Sequence, residues 1–191
     1  MRNITVATTS RSDYGILYPL LREIDNDIEL NLRLLISGSH LSKEYGKTIS
    51  EIINDGFKDY KIFDVLGHTN YKKNPQAVIM SNTINQFSNY FFKNKPDILV
   101  LLGDRFETLG VAISAMLNKI PIAHIHGGEK TIGAIDDGIR HSITKLSHLH
   151  FVSCDEYKNR VRQLGENPDN IFSVGSLGVE NILSIKLKSR E

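Results

Sequence analysis

PDILVLLGDRFE, residues 96–107, is the segment from which the architecture of this chain can be inferred. Its five consecutive apolar residues, 98–102, have the length of a strand, and an uninterrupted apolar run is typical of a parallel strand that is buried on both faces. The polar turn GDRFE follows at once and leads into a helical pattern. Strand, polar turn and helix in this order predict a βαβ unit, because parallel neighbours need a long crossover, usually a helix.

The rest of the chain repeats this pattern. Further strand-like segments alternate with helical ones, and these predicted strands cover residues 4–8, 30–36, 60–65, 121–126, 149–152 and 171–174. Strands that alternate with helices predict a parallel sheet with helices on both sides. The predicted fold class is therefore α/β, with a Rossmann-like, doubly wound parallel sheet of about seven strands.

Composition and charge exclude several classes of protein. The 191 residues carry a formal net charge of +1 without a long basic run, so electrostatics gives no support for a nucleic acid or membrane partner. No apolar segment approaches the roughly 20 residues that span a bilayer, and MRNITVATTS is too short and too polar for a signal peptide. The single cysteine, Cys154, rules out an internal disulfide. We expect a soluble, cytoplasmic protein in which this thiol is buried.

The two commonest nucleotide-binding motifs are absent. No G-x-G-x-x-G follows the first strand and no G-x-x-x-x-G-K-[ST] occurs anywhere, which argues against a dinucleotide cofactor and against nucleoside triphosphate hydrolysis. In a doubly wound sheet, ligands bind outside the carboxyl ends of the strands. The loops there hold most of the notable polar residues, and they cover residues 9–13, 37–40, 67–75, 103–107 and 127–137.

Two of these loops place charged side chains at the start of a helix. In TSRSDYG, Arg11 and backbone N–H groups are suited to an anion, but Ser12 or Asp13 is also a natural helix cap. Asp104 is a candidate helix cap in the same way, or a general base whose pKa depends on Arg105 and the helix dipole. The residues alone favour capping in both loops and leave the functional interpretations open.

Five of the seven histidines lie between residues 124 and 150. The spacing of His124, His126 and Glu129 permits metal binding, because both imidazoles would point to one face of a strand. No second carboxylate–histidine unit accompanies them. Acid–base chemistry by His126 or Glu129 is therefore favoured over a metal site, with His124 as a core histidine bonded to a neighbouring loop.

Asp136 and Asp137 open the helix that follows this loop. Carboxylates in a first helical turn match the helix dipole. The same pair also brings two carboxylates close to Arg140 and His141, on the following turn. The pattern therefore allows both a structural role and a catalytic one.

With these motifs identified, the chain resembles the hydrolysing UDP-N-acetylglucosamine 2-epimerases of sialic-acid-type sugar synthesis. The matching segments, in chain order, are TSRSDYG, SGSHLSKEYG, LGDRFE, HIHGGEKTIGAIDDGIRHSITKLSHLHF and VGSLGVENI. The family has two Rossmann-like domains in the GT-B arrangement, with the nucleotide sugar in the cleft between them. The resemblance implies that residues 1–178 form the amino-terminal domain and that residues 179–191 begin the crossover to a second domain.

The resemblance also implies a reaction. Loss of UDP from C1, while a base removes the C2 proton, gives a 2-acetamidoglucal. Water then adds with inverted C2 configuration and yields N-acetylmannosamine. The implied substrate is UDP-N-acetylglucosamine or a related UDP-acetamido sugar, with no cofactor and no metal, and we expect the full-length protein to be a homo-oligomer.

Site residues follow from the resemblance motif by motif. Asp104 is the candidate base or acid, and Asp136 and Asp137 are its partners. Because some relatives have glutamate where this chain has His126, either His126 or Glu129 takes part. The candidates for substrate binding are Arg11 and Arg105 at the diphosphate, His40 at the sugar or nucleotide, and Asp13, Arg140 and His141.

Two further expectations concern an alternative function and the activity of the isolated chain. The alternative function is the acceptor-side domain of a GT-B glycosyltransferase, which shares the predicted architecture. Under either function, one domain supplies only one wall of the cleft and cannot exclude water from the reaction by itself. We therefore expect little or no turnover from the isolated chain.

Overall fold

The structure, a computed structural model, describes residues 1–67 and 76–184. Within these residues, the strands form one parallel sheet in the order β3-β2-β1-β4-β5-β6-β7. They are β1 (Arg2–Thr8), β2 (Leu30–Ile36), β3 (Tyr60–Ile62), β4 (Ile98–Leu102), β5 (Ile122–Ile125), β6 (Leu149–Val152) and β7 (Ile171–Ser173). The predicted Rossmann-like α/β sheet is confirmed.

Helices cover both faces of this sheet. They are α1 (Arg11–Asn26), α2 (Ile49–Asn54), α3 (Gln76–Lys93), α4 (Phe106–Leu117), α5 (Ile135–Leu146), α6 (Asp155–Gln163) and α7 (Leu177–Ser184). One core cluster joins the sheet to α3, α4 and α5, and a second joins it to α1 and α2.

Strand β4 lies in the middle of the sheet and is buried on both faces. Leu99 and Leu101 belong to the core on the α3–α4–α5 side, whereas Val100 and Leu102 belong to the core on the α1–α2 side. This alternation is what the uninterrupted apolar run predicted, because every side chain of such a strand has a helix layer to pack against.

The strand order reverses between β1 and β4. From β1 the chain goes to β2 and β3 on one side, and it returns to the other side of β1 to form β4. The loops that follow β1 and β4 therefore leave the sheet in opposite directions, and a crevice opens between them. The segments 9–13 and 103–107 lie at this crevice.

The start of α1 differs from the prediction. The N-cap is Ser10, whose Oγ accepts a hydrogen bond from the Asp13 backbone N–H at 3.3 Å. Ser12 and Asp13 are therefore not the cap, because the helix begins earlier, at Arg11. The Asp13 carboxylate instead accepts a hydrogen bond from Thr9 Oγ1 at 2.8 Å.

Residues 42–54 have apolar side chains at helical spacing, which predicts a helix, but they are only partly α-helical. Two 3₁₀ turns occupy Gly38–Leu41 and Lys43–Tyr45, and only Ile49–Asn54 is α-helical. Gly46, at a φ of +82°, caps the second turn in a left-handed conformation, which interrupts helical geometry. Apolar spacing therefore overestimated the length of this helix.

Three other predictions concern the cysteine, the third strand and the loop that follows it. Cys154 is exposed, which contradicts the predicted buried thiol, because it occupies the N-cap position of α6 at the surface. The predicted strand 60–65 ends at Ile62. Of the predicted loop 67–75, residues 68–75 lie outside the described residues.

Helix α7 crosses the predicted domain boundary at residue 178. It packs on α1, where the Asn181 side-chain amide donates a hydrogen bond to the Gly15 carbonyl at 2.9 Å. The division of the chain at residues 178 and 179 stays a prediction. Within residues 1–67 and 76–184, no helix has the length and apolar character needed to cross a membrane.

Candidate active site

The candidate site is organised around Arg140 of α5, whose side chain is 8% exposed. Its guanidinium contacts the Asp104 carboxylate in the loop after β4. In the loop after β5 it donates to the His126 carbonyl at 2.9 Å and lies 3.5 Å from Glu129 Oε2. One buried cation thus connects two neighbouring strand-end loops and two carboxylates that the sequence analysis had singled out.

Glu129 has partners on both carboxylate oxygens. Ser153 Oγ, just after β6, donates to Oε1 at 3.0 Å, and Arg140 lies near Oε2. His126 Nδ1 is 3.6 Å from Oε1. The carboxylate is therefore fixed by three side chains from three segments of the chain.

His126 combines an unusual backbone with an unsatisfied ring nitrogen. Its φ is +63°, in the left-handed region that non-glycine residues rarely adopt, and such strain tends to occur at functional sites. Nε2 is buried and has no hydrogen-bond partner among the described residues. Burial lowers the pKa of His126 below its ordinary value, which favours a neutral ring with one nitrogen free to accept a proton.

His124 is a core histidine, as predicted. Its Nε2 is 2.8 Å from the Gly103 carbonyl, and its Nδ1 is 3.1 Å from Thr144 Oγ1. Because a carbonyl only accepts, Nε2 carries the proton and Nδ1 is the acceptor. Both nitrogens are engaged, so His124 has none left to bind a metal together with His126. Over the described ranges, no group of three or more His, Cys, Asp or Glu side chains is arranged to hold a metal ion.

Asp104 lies at the centre of a carboxylate-rich region. Burial raises its pKa above the ordinary value, and the nearby charge of Asp136 raises it further, whereas Arg140 lowers it. Asp104 is not the helix cap that the sequence alone favoured, because Arg105 occupies the N-cap position of α4. Its side chain is therefore available for chemistry.

Asp136 and Asp137 both lie in the first turn of α5, and Ala134 occupies the N-cap position. The Asp137 carboxylate accepts a hydrogen bond from the Thr131 backbone N–H at 3.1 Å and lies 3.7 Å from His141 Nε2. Asp137 thus holds the loop before α5. Asp136 is the member of the pair that acts on the pKa of Asp104.

A polar cavity of about 290 Å³ lies beside this region, at the N-terminus of α1. Arg11 and Arg105 both line it, together with Ser10, Ser12, Ser39, Tyr45 and Thr48. Arg11 is exposed and lies 3.3 Å from Glu51, and such surface pairs exchange partners at little energetic cost. Two guanidiniums and a helix N-terminus make this cavity suitable for an anion.

His40 is completely buried. Its two ring nitrogens lie 2.9 Å from Thr8 Oγ1 and 2.8 Å from Thr48 Oγ1. Burial lowers its pKa to about 4, and Arg105 contributes in the same direction. In this structure His40 fixes the loop after β2 to its neighbours, and its ring has no nitrogen available to a ligand.

Three polar residues of the site were not assigned by the sequence analysis. They are Glu107, whose Oε1 accepts from Arg105 Nη2 at 3.1 Å, Thr131 and Ser153. Ser153 directly follows a predicted strand, which was the available signal. Glu107 belongs to the GDRFE segment, but nothing in the sequence indicates that its carboxylate points inward.

Comparisons with known proteins place this geometry in context. The family model described as UDP-N-acetylglucosamine 2-epimerase matches residues 22–191. Polysialic acid biosynthesis protein P7 from Escherichia coli is 43% identical over 195 residues, which cover 100% of this chain and 49% of that protein. GDP/UDP-N,N′-diacetylbacillosamine 2-epimerase (hydrolyzing) from Campylobacter jejuni is 46% identical over 176 residues, which cover 92% of this chain and 45% of that protein. The chain spans about half the length of these relatives.

The fold is also similar to that of solved structures. The crystal structure of UDP-GlcNAc 2-epimerase from Neisseria meningitidis bound to UDP-GlcNAc matches with a TM-score of 0.81 at 20% identity. The match covers 96% of this chain and 48% of that one. This chain therefore has the fold of about half of that protein.

Proposed function

This chain belongs to the UDP-N-acetylglucosamine 2-epimerase family, and on that basis we propose that it supplies one wall of the active site of a hydrolysing 2-epimerase. The substrate of the complete protein is UDP-N-acetylglucosamine or a related UDP-acetamido sugar. The observation that carries the proposal is the contact of Arg140 with both Asp104 and Glu129, beside a cavity lined by Arg11 and Arg105. Groups for acid–base chemistry thus lie next to groups for a diphosphate.

The cavity at α1 is the proposed diphosphate site. Departure of UDP from C1 leaves negative charge on the leaving oxygen, and cations together with a helix N-terminus stabilise such charge. Arg11 and Arg105 supply the cations. Because the contact of Arg11 with Glu51 is exposed to solvent, Arg11 can turn toward the ligand.

Removal of the C2 proton requires a base close to the sugar. Asp104 is the proposed base or acid, because it is only partly exposed, with 22% of its side chain accessible, and its pKa is raised by burial. Asp136 is its proposed partner, since the negative charge of Asp136 makes the Asp104 carboxylate a better proton acceptor. Asp137, bonded to the Thr131 N–H, supports the same turn.

The arrangement of His126 and Glu129 supports different roles for the two residues. Glu129 is held by Ser153 and Arg140, whereas Nε2 of His126 has no partner in the part of the chain that the structure describes. We therefore assign proton transfer to His126 and orientation of its ring to Glu129. His126 Nδ1 lies 3.6 Å from Glu129 Oε1, close enough for the carboxylate to attract a proton on that nitrogen.

The proposed activity belongs to a protein of the length of the relatives. In such a protein the remaining half provides the second wall of the cleft, which excludes water and completes the substrate site. We propose that this complete protein acts as a homo-oligomer and that the 191-residue chain alone has little or no turnover.

Isotope incorporation tests the reaction. A complete protein that contains this chain is incubated in D₂O with UDP-N-acetylglucosamine and, separately, with a UDP-2,4-diacetamido sugar. We expect release of UDP together with the 2-epimeric free sugar, which carries deuterium at C2 because the new C2 proton comes from solvent. A glycosyltransferase would instead need an acceptor and would leave the C2–H bond intact.

Replacement of the proposed base tests the site. Asp104→Asn is expected to lower kcat by about 10²–10⁴-fold, the usual contribution of an acid–base group. The matched control is Asp97→Asn, an exposed carboxylate at the opposite end of β4 that accepts a hydrogen bond from the Asn3 N–H. A loss below about tenfold for Asp104→Asn would contradict the assignment.

A further inference from the structure

Glu107 is a completely buried carboxyl group that contacts Arg105, one of the residues that line the cavity at the N-terminus of α1. It lies in the first turn of α4, and the exposed fraction of its side chain is 0%. Oε1 accepts a hydrogen bond from Arg105 Nη2 at 3.1 Å. Oε2 is buried and has no hydrogen-bond partner among residues 1–67 and 76–184.

The surroundings of Glu107 are unfavourable for a charged group. Burial raises its pKa to about 8, and the negative charge of Asp13 acts in the same direction. A hydrogen bond from its own backbone N–H opposes this shift, because a donor favours the ionised carboxylate. Gly38 leaves just enough room for the carboxyl group, since a Cβ at that position would lie 3.3 Å from Oε1.

Stability alone does not explain a glutamate at this position. A well-packed apolar side chain of similar volume is often as stable as a buried ion pair, or more stable. What an apolar side chain cannot supply is an acceptor for the guanidinium. Arg105 is 32% exposed at its side chain and lines the cavity, so the direction of its guanidinium determines how it meets an anion.

We propose that Glu107 is a positioning residue of the anion site: its carboxyl group holds the Arg105 guanidinium toward the cavity at the N-terminus of α1. The inference rests on the proposed function, because it takes this cavity as the diphosphate site. Glu107 itself does not touch the ligand. Its effect on binding is expected to pass through Arg105 alone.

A double-mutant cycle with UDP as the probe tests this inference. The 191-residue chain and its variants are titrated with UDP, and the Kd is measured from ¹H–¹⁵N NMR shifts. We expect Glu107→Leu to raise the Kd about tenfold, which is the effect of a lost hydrogen bond to a charged group. In an Arg105→Ala background the same change is expected to alter the Kd by less than about twofold, because coupled residues lose their effect together.

Two further variants control for structural effects. Glu107→Gln retains an acceptor oxygen of the same size and is expected to raise the Kd less than about threefold. Glu166→Leu removes another mostly buried carboxylate, one that contacts Lys145 and His150 away from the cavity, and is expected to leave the Kd unchanged. An equal increase for Glu107→Leu with and without Arg105 would overturn the proposal, because it would indicate a general structural role.

A second measurement separates this proposal from the proposed function. The side-chain ¹⁵Nε–¹Hε relaxation of Arg105 reports its order without any ligand. We expect greater motion in Glu107→Leu or, where that variant does not fold, in Glu107→Met, which also lacks an acceptor oxygen for the guanidinium. Unchanged order of Arg105 would refute the positioning role. Failure of the unsubstituted chain to bind millimolar UDP, with Arg105 still ordered by Glu107, would instead count against the diphosphate site.

Discussion

Gly38 marks the closest approach between the loops that follow β1 and β2. Its φ of +62° lies in the left-handed region, and a Cβ there would be 2.5 Å from the Thr9 carbonyl oxygen. That oxygen also accepts hydrogen bonds from the backbone N–H and the Oγ of Ser39, so it cannot withdraw without breaking them. Glycine is therefore required at this position, next to Ser39, which lines the arginine-lined cavity.

Gly38→Ala is expected to lower the free energy of unfolding by about 2–4 kcal/mol, the sum of left-handed strain and steric overlap. Urea unfolding measures this loss. Gly46→Ala is the matched control, because Gly46 has a φ of +82° and no atom within 4 Å of its added Cβ. That variant is expected to lose only about 1 kcal/mol, from strain alone. Equal losses in the two variants would show that the contact with Thr9 is unimportant.

The identities of the site residues were easier to predict than their partners. Asp104 follows a buried strand, and its place at the crevice follows from the fold class alone. Its contact with Arg140 depends on β4 and β5 being neighbours and on the face that α5 presents. The burial of His40 between Thr8 and Thr48 was likewise not encoded in any spacing.

At the scale of elements, His124 joins three segments of the site. It lies in β5, and its ring contacts the Gly103 carbonyl after β4 and the Thr144 hydroxyl in α5. Burial lowers its pKa from the ordinary 6.5 to about 3. The unfolded chain therefore binds a proton at this residue more readily than the folded chain does, and acid weakens the junction of these elements.

The stability contributed by neutral His124 is present above about pH 6.5 and is lost as the pH falls toward its folded pKa of about 3. Within this window, the free energy of unfolding falls by about 1.4 kcal/mol for each unit by which the pH is lowered. Between about pH 6 and pH 4, His124→Gln is expected to reduce the dependence of the free energy of unfolding on pH by about 1.4 kcal/mol per pH unit.

Urea unfolding at stepped pH values measures the slope for each variant. The control is His148→Gln, which replaces an exposed histidine. A slope that is the same in His124→Gln and the unsubstituted chain would contradict a neutral, buried His124.

Among the elements, strands were predicted better than the segment around α2. The segment 98–102 is a strand over its whole predicted length, because its apolar run leaves no alternative. Residues 42–54 carry Tyr45, Ile49, Ile52 and Ile53 at helical spacing, but Gly46 interrupts the helix at a φ of +82°. Apolar periodicity does not report a local break in the backbone, and two of these four side chains, Tyr45 and Ile53, are exposed.

At the scale of the whole molecule, strand order brings the two parts of the proposed site together. The loops after β1 and β2 lie along the cavity with Arg11, and those after β4 and β5 carry Asp104 and Glu129. Because β1 and β4 are adjacent in the sheet, the loops after β1 and β2 lie next to the loops after β4 and β5. Composition and periodicity predicted the sheet, whereas the alignment of these loops depends on the strand order.

The reversal of strand order between β1 and β4 also places diphosphate binding and sugar binding on different loops in the proposed reaction. Under the proposed function, Arg11 after β1 and Arg105 after β4 hold the leaving group, and the loop after β5 contacts the sugar. A substitution in the loop after β5 can therefore change which sugar is accepted while the grip on the diphosphate is preserved.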